Sequence, residues 1–261
     1  MFLGIDIGSS SSKAALVDAD GNLAATNVLN LGTGTNAHET VVEAVCREAG
    51  IQKSDILYTV ATGYGRINYR NANKQITEIT CHAKGVGVLT GGTKTIIDIG
   101  GQDAKVIRMD ESGNVVNFVM NEKCAAGTGR FLEVMARVLG CSLEELSSLA
   151  SGATADIAIN NVCTVFAESE VISKLAEGES AENVAHGAHI AIAKRVAGMC
   201  NRIGYQPKIV MTGGGALNED LVRSFAAELG CEIKTAPFCQ AAGAIGAAYF
   251  AKKFYETEKL A

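Results

Sequence analysis

Read from its start, the chain sets apolar runs against short polar turns, and the pattern recurs. Residues 2–7 alternate as a buried strand, and Gly8-Ser9-Ser10-Ser11-Ser12-Lys13 makes a turn rich in glycine and hydroxyls. Ala14 to Val17 resumes a strand, and Asp18-Ala19-Asp20-Gly21-Asn22 signals a hairpin. The same order returns at Thr95-Ile96-Ile97-Asp98-Ile99-Gly100-Gly101-Gln102-Asp103-Ala104-Lys105, then Val106-Ile107 and the turn at Gly113-Asn114. Asp6 matches Asp98, Gly8 matches Gly100, Lys13 matches Lys105, Gly21 matches Gly113 and Asn22 matches Asn114, every pair offset by 92 residues. Five polar or turn residues at one offset identify a duplicated β-hairpin unit. A weaker echo joins Val60-Ala61-Thr62-Gly63-Tyr64-Gly65 to Val210-Met211-Thr212-Gly213-Gly214-Gly215, each a strand ending in a glycine-rich turn.

Helical periodicity lies between these landmarks, over roughly 37–49, 74–89, 128–139, 165–176, 184–203, 217–229 and 240–255. Gly50, Gly140 and Gly230 punctuate helix ends, and no low-complexity linker separates the halves. The expected class is therefore α/β, with two similar lobes that meet near Gly91-Gly92. Lobe I spans 1–92 and lobe II 93–239, with the small-faced helix of 240–261 completing lobe I.

Composition narrows the function. With 261 residues, 48% of them hydrophobic and 20% charged, the chain holds one large domain or two ordinary ones with ample core. A net charge of −5 without a basic stripe argues against nucleic acid. No apolar run approaches the ~18–20 residues of a membrane helix. The opening Met1-Phe2-Leu3-Gly4-Ile5-Asp6 lacks the charged and apolar regions of a signal peptide, so a cytoplasmic location is expected.

Eight cysteines include no Cys-x-x-Cys pair, which disfavours a zinc site or a thioredoxin-type motif. A disulfide framework does not suit a reducing compartment. Cys46, Cys81, Cys141, Cys200, Cys231 and Cys239 read as small buried hydrophobes. Cys124 and Cys163 differ. Each stands just before a helical pattern, Cys124 ahead of Ala125-Ala126-Gly127-Thr128-Gly129 and Cys163 ahead of Thr164-Val165-Phe166. Unpaired N–H groups at a helix start favour thiolate, so both are candidate ligands of a metal cluster.

A turn offering backbone N–H groups, serine hydroxyls and a lysine is a phosphate cradle. Two such turns, one per lobe, suggest a triphosphate held in a cleft between the lobes. The first offers Gly8, Ser9, Ser10, Ser11 and Lys13, and the second Gly100, Gly101 and Lys105. Asp6 and Asp98 at the strand ends suit Mg²⁺, held through waters. Gly213, Gly214 and Gly215 form a third nucleotide turn, and Gly127 and Thr128 beside Cys124 complete the cofactor-binding set. Asp6, Asp98, Gln102 and Asp103 are the candidate catalytic groups, with the one that orients the attacking water left open. His38, His82, His186 and His189 show no metal spacing, and His186 and His189, three apart, read as surface or packing residues. Glu168 and Glu170 read as helix-face charges with scope for an interface role. Arg130, a cation at a helix start, suggests a functional or interchain salt bridge.

The duplicated lobes with Asp-x-Gly phosphate motifs resemble the actin-like, sugar-kinase and Hsp70 ATPase superfamily. Further stretches narrow the resemblance: Gly32-Thr33-Gly34-Thr35, Ala61-Thr62-Gly63-Tyr64-Gly65-Arg66, Cys81-His82-Ala83, Lys123-Cys124-Ala125-Ala126-Gly127-Thr128-Gly129-Arg130-Phe131-Leu132 and Cys163-Thr164-Val165-Phe166-Ala167-Glu168-Ser169-Glu170-Val171. Together they are similar to the ATP-dependent activator (component A) of 2-hydroxyacyl-CoA dehydratases, related to the ATPase subunits of benzoyl-CoA reductase. The match runs from Gly4 to about Tyr249. It departs at Gly215, where a larger residue is expected, and at Asn160-Asn161-Val162, where a serine-rich lead-in is expected.

The resemblance implies a homodimer with one oxygen-sensitive [4Fe–4S] cluster at the subunit interface, bound by Cys124 and Cys163 of each chain. It implies ATP and ADP as nucleotides and adenosine at the Gly213 turn. It further implies single-electron transfer to the partner dehydratase (component D) in anaerobic amino-acid fermentation, with ferredoxin or flavodoxin as donor. ATP hydrolysis would reset the cysteine-bearing helices, with Gly127 and Gly129 aiding close packing or hinge motion. The rivals are a small-molecule kinase of the same fold, with Asp103 as its base, and a regulatory binding protein. Both leave the two cysteine motifs unexplained or redox-silent.

Overall fold

A computed structural model describes residues 1–260 and divides the chain into two compact units. Unit 1 comprises Met1–Thr93, Met109–Val116 and the chain from Ala236 onward, and unit 2 comprises Lys94–Arg108 and Asn117–Thr235. The sheet of unit 1 is built from β1 (Phe2–Ile7), β2 (Ser12–Val17), β3 (Leu23–Leu29), β4 (Tyr58–Thr62) and β5 (Lys74–Gln75), in the order β3-β2-β1-β4-β5. β1 runs antiparallel to β2 and parallel to β4, and all six of its residues are buried. A strand covered on both faces has no polar side to display, which is why it reads as a nearly continuous apolar run.

Helix α1 (Ala37–Glu48) covers one face of this sheet with Val41, Val42 and Val45. The other face takes the C-terminal helix Ala242–Leu260, whose Ala244, Ile245 and Ala248 pack on Ala15 and Val17. Helix α2 (Glu78–Thr90) lies close against that C-terminal helix, because a Cβ at Gly246 would collide with the Cys81 carbonyl oxygen and one at Gly85 with that of Ala242. The small face read in the sequence is thus what lets two backbones approach. α2 begins at Glu78, later than the periodicity suggests, because Lys74–Gln75 pairs with β4 and the Thr77 side chain caps the helix by accepting from Thr80 N–H.

The sheet of unit 2 repeats the plan: β6 (Thr95–Ile99), β7 (Ala104–Met109), β8 (Val115–Asn121), β9 (Ile209–Thr212) and β10 (Ile233–Thr235), in the order β10-β9-β6-β7-β8. Again the first strand is antiparallel to the second and parallel to the fourth. Its helices are α3 (Gly129–Leu139), α4 (Glu145–Ala150), α5 (Thr164–Ala176), α6 (Ala181–Ile203) and α7 (Glu219–Leu229). Ser180 caps α6, and Asn218 caps α7 ahead of Glu219 and Asp220 in its first turn. α4 escaped the sequence reading because six residues are too few to show a helical period. Among the described residues, no helix is long and apolar enough to cross a membrane.

Candidate functional site

The register of the two hairpins explains the spacing of the repeat. Asp6 pairs across the ladder with Lys13, and Asp98 with Lys105. In unit 1 the turn closes through Gly8 N–H donating to Ser11 O at 3.0 Å, and in unit 2 through Gly100 N–H donating to Asp103 O at 2.9 Å. Gly8, Ser9, Ser10 and Ser11 are half-buried, as are Gly100, Gly101 and Asp103, while Gln102 is exposed. Lys13 Nζ lies 3.6 Å from Asp6 Oδ2. Lys105 Nζ lies 3.2 Å from Asp98 Oδ2 and 2.7 Å from Asp103 Oδ2, and Lys105 is buried.

The weaker echo has a matching geometry. Thr62 is the ladder partner of Asp6, and Thr212 that of Asp98. The glycine after each threonine lies in the left-handed region, Gly63 at φ +81 and Gly213 at φ +79. A Cβ on Gly63 would meet Asp6 Oδ1 and one on Gly213 would meet Ile99 O, so the residue after each threonine must be glycine. Gly65 and Gly215 are likewise equivalent, since an added Cβ would sit 2.5 Å from Ile7 Cγ2 and 2.6 Å from Ile99 Cβ, respectively. That accounts for the third glycine at 215. Gly214 is exposed on the same turn. The Gly213 turn therefore lies directly against Asp98 and Ile99, at the foot of the second hairpin turn.

The cysteines are also brought together within unit 2. Cys124 is half-buried and its Sγ lies 3.9 Å from Val162 O, the carbonyl just before Cys163. Cys163, also half-buried, occupies the N-cap position of α5. Asn160 Oδ1 accepts from Val162 N–H at 2.9 Å and Cys163 N–H at 3.1 Å, while Asn160 N–H donates to Glu170 Oε2 at 2.7 Å. The asparagine in place of a serine thus holds the cysteine loop, and Glu170 is part of that loop's support.

Asn121 Nδ2 bridges the carbonyls of Cys124 and Ala126 at 2.9 Å each, and Thr128 Oγ1 donates to Ala125 O at 2.8 Å. Arg195, which the sequence did not flag, lies beneath both loops. Its guanidinium donates to Asn161 O at 3.1 Å, and a Cβ on Gly127 would come within 3.1 Å of its Cδ. No local sequence signal singles out Arg195, because it reaches the loops from the middle of α6.

The second hairpin turn, at Gly100 to Asp103, is tied to the first cysteine's helix. Gly129 N–H donates to Gly100 O and Arg130 N–H to Gly101 O, both at 2.8 Å. Two N–H groups that lack partners inside α3 are thereby satisfied by the hairpin turn itself. Arg130 pairs with Glu133 on its own helix at 2.6 Å, so its salt bridge is local, and Arg137 joins Glu168 at 3.0 Å to link α3 with α5.

Of the other six cysteines, Cys46, Cys81, Cys200 and Cys239 are buried, whereas Cys141 and Cys231 are only partly so. Burial pushes the Cys81 and Cys200 thiols up to about 12. His186 and His189 share a carboxylate after all, Asp220 Oδ2, at 2.8 and 2.6 Å. Among the described residues, no group of three or more His, Cys, Asp or Glu side chains is arranged to hold a metal ion. Cys124 and Cys163 supply two thiols where an iron–sulfur cluster takes four, so the donor set fits such a group only if a second chain contributes its own pair.

A family model described as the BadF/BadG/BcrA/BcrD ATPase family matches residues 3–251. The chain is 50% identical over 249 residues to an activator of lactoyl-CoA dehydratase from Anaerotignum propionicum, covering 95% of this chain and 96% of that protein. Its structure matches that of the activator of 2-hydroxyisocaproyl-CoA dehydratase from Clostridium difficile with bound ADPNP. That match has a TM-score of 0.96 and 44% identity, and covers 100% of this chain and 97% of that one. A ROK family glucokinase from Streptomyces griseus, 14% identical with a TM-score of 0.57 over 97% of this chain and 99% of its own, shares the fold alone. The actin-like and sugar-kinase architecture expected from the duplicated hairpins is the one observed.

Proposed function

Because this chain belongs to the BadF/BadG/BcrA/BcrD ATPase family, we propose that it is an ATP-hydrolysing activator delivering single low-potential electrons to a 2-hydroxyacyl-CoA dehydratase. The observation that carries this reading is the pair of hydrogen bonds from Gly129 and Arg130 to the carbonyls of Gly100 and Gly101. They make the phosphate turn and the helix behind Cys124 one connected piece, so a change of nucleotide at the turn shifts the frame of the thiols.

In this reading each turn is a phosphate contact of its own unit, through backbone N–H groups and Lys13 in the first and through Gly100, Gly101 and Lys105 in the second. Lys105 holds Asp98 and Asp103 in place, and Mg²⁺ is carried by Asp6 through water. Asp6 Oδ1 is buried without a hydrogen-bond partner in the protein, which fits a carboxylate waiting for a metal-bound water. Gln102, exposed at the tip of its turn, is the group free to orient the attacking water.

Cys124 and Cys163 of two copies would hold a [4Fe–4S] cluster, which when bound supplies one-electron chemistry at low potential. Val162, Val165, Phe166 and Ile172 are exposed around Cys163, an apolar surface suited to the second copy. The dehydratase partner, and a ferredoxin or flavodoxin donor, complete the proposal.

The test is anaerobic purification with iron, sulfide and mass determined together, beside a Cys124→Ser variant. About four irons per dimer, lost in the variant and in air, are expected. Iron-free protein with intact ATP turnover after strictly anaerobic handling would sink the cluster and leave an ATPase of another purpose.

A further inference from the structure

The imidazole of His189 is fully buried between α6 and α7, and the hydrogen bonds around it define its proton positions. Asn218 Oδ1 accepts from Leu221 N–H at 2.9 Å as the cap of α7, which turns its amide Nδ2 toward His189 Nε2 at 2.9 Å. An amide NH₂ only donates, so Nε2 must be the acceptor and the ring proton must sit on Nδ1. There it donates to Asp220 Oδ2 at 2.6 Å, an oxygen that also accepts from His186 Nδ1 at 2.8 Å. Arg223 Nη2 donates to Asp220 Oδ1 at 3.1 Å, and Asp220 N–H donates to Ser147 Oγ at 3.2 Å. His186 Nε2 faces Asp156 Oδ1 at 3.3 Å. A cavity of ≈ 630 Å³ opens beside this cluster, lined by Ser151, Thr154, Asp156, His186, Asp220 and Arg223, and gives protons a way in.

From this network we infer that His189, in its neutral Nδ1–H form, is a positioning residue for the nucleotide turn. Asn218 follows directly on Gly213–Leu217, and its N–H donates to Gly215 O at 3.2 Å. Whatever holds Asn218 therefore holds the end of the turn that lies against Asp98 and Ile99. A second proton on His189 would set an N–H against the Asn218 NH₂. The cap would have to turn away from Leu221 or the ring from Asn218, and either motion loosens the turn. The charged and titratable groups facing the ring are Asp220 and Arg223 from α7 and His186 from its own helix, with Asp156 behind His186. Burial holds the His189 imidazole below the ordinary histidine range, against the pull of Asp220. The depressed value means that the neutral form persists at neutral pH and is lost only as pH falls through the folded value.

This inference rests on the Gly213 turn binding nucleotide, and the experiment separates the two. ADP affinity is measured calorimetrically between pH 7.5 and pH 5 for the wild type and His189→Gln, which keeps a neutral donor and acceptor. Titration of the ADP phosphates is common to both proteins, so the ratio of their dissociation constants is the readout. The ratio of wild type to variant is expected to stay level above the folded value and to rise below it, about a decade for each pH unit, with protonation of the ring followed by long-range ¹⁵N correlation in the same samples.

Long-range ¹⁵N correlation at pH 7.5 is expected to show the Nδ1–H tautomer. Asp220→Asn retains the ring and removes the anion that favours its charged form, so it is expected to move the midpoint to lower pH. It serves as the deciding variant if His189→Gln fails to fold. A ratio that stays flat while the ring takes up its second proton, an unmoved midpoint or an Nε2–H tautomer overturns the inference while leaving nucleotide binding intact. No ADP binding by the wild type at pH 7.5 overturns the nucleotide reading, and this inference with it.

Discussion

The two hairpin units share one ladder register yet treat their acid–base pair differently. In unit 2 the ammonium of Lys105 is only 1% exposed and touches two carboxylates, while Thr212 Oγ1 donates to Asp98 Oδ1 at 2.7 Å. In unit 1 Lys13 is 16% exposed and 3.6 Å from Asp6, Asp6 Oδ1 is buried without a partner in the protein, and Thr62 Oγ1 lies beside the Cys81 thiol, with no carboxylate to donate to. Duplication preserved the backbone frame, and the side chains then diverged. One carboxylate is saturated by its own protein and serves as scaffold, whereas the other keeps an oxygen in reserve for a ligand. A buried unsatisfied oxygen costs about 1–3 kcal/mol, so its retention in unit 1 points to function.

The largest test of this contrast is removal of each lysine. Lys105→Met strands two acids around a buried site and is expected to lower unfolding free energy by about 3–5 kcal/mol in urea titrations. Lys13→Met is expected to cost less than ~1 kcal/mol, because its pair is longer and partly solvated, and to weaken nucleotide binding instead. Equal losses at both sites would break the comparison.

Next come the glycines that the two units hold in common. Gly63→Ala and Gly213→Ala are each expected to cost ~2 kcal/mol or more, since both combine positive φ with a collision, and thermal unfolding should show similar shifts. A tolerated change at only one of them would show that the turns are less alike than their backbones.

Smaller, but sharper, is the threonine pair. Thr212→Val leaves Asp98 Oδ1 without its donor and is expected to cost about 1–2 kcal/mol. Thr62→Val removes a hydroxyl whose neighbour is the buried Cys81 thiol, a weak acceptor, and should change nucleotide-free stability by less than ~0.5 kcal/mol. A large loss at Thr62 would mean that the reserve in unit 1 is illusory. The least effect is expected from native alkylation at pH 8. Cys81 in one unit and Cys200 in the other, both pushed up to about 12, should stay unmodified by iodoacetamide over a time in which Cys124 and Cys163 react.

Much of this was legible before any coordinates. The Asp6/Lys13 and Asp98/Lys105 matches already contained the ladder register, because a hairpin with a fixed turn length fixes which residues face each other. The helix ends were near their places wherever a glycine closed the helix, as at Gly140 and Gly230, both in the left-handed conformation. The starts were poorer. The periodicity ran on past the Thr77 cap of α2 into β5, while the first turn of α6 after Ser180 carries too little apolar period to be seen. The threonines of the second echo were present as letters, but nothing in a linear reading says that one donates to a carboxylate and the other lies beside a thiol. Glu170, read as a surface charge, turned out to anchor Asn160, a partner ten residues back that only the bend before α5 brings within reach.

By itself the chain's order of residues determined the duplicated α/β architecture, the two glycine-rich hairpin turns and the placing of two cysteines at helix starts. Each of these is written in local patterns: a period of two, a glycine where φ turns positive, a polar residue at a constant offset. The tertiary structure alone decided which partners those groups keep. Arg195 under both cysteine loops, the tie of α3 to Gly100 and Gly101, and the sharing of Asp220 by His186 and His189 all join residues far apart in the chain. Hydrogen bonds and charge pairs depend on distances of a few ångströms, and folding, unlike local propensity, sets those distances between segments with no common pattern to announce them.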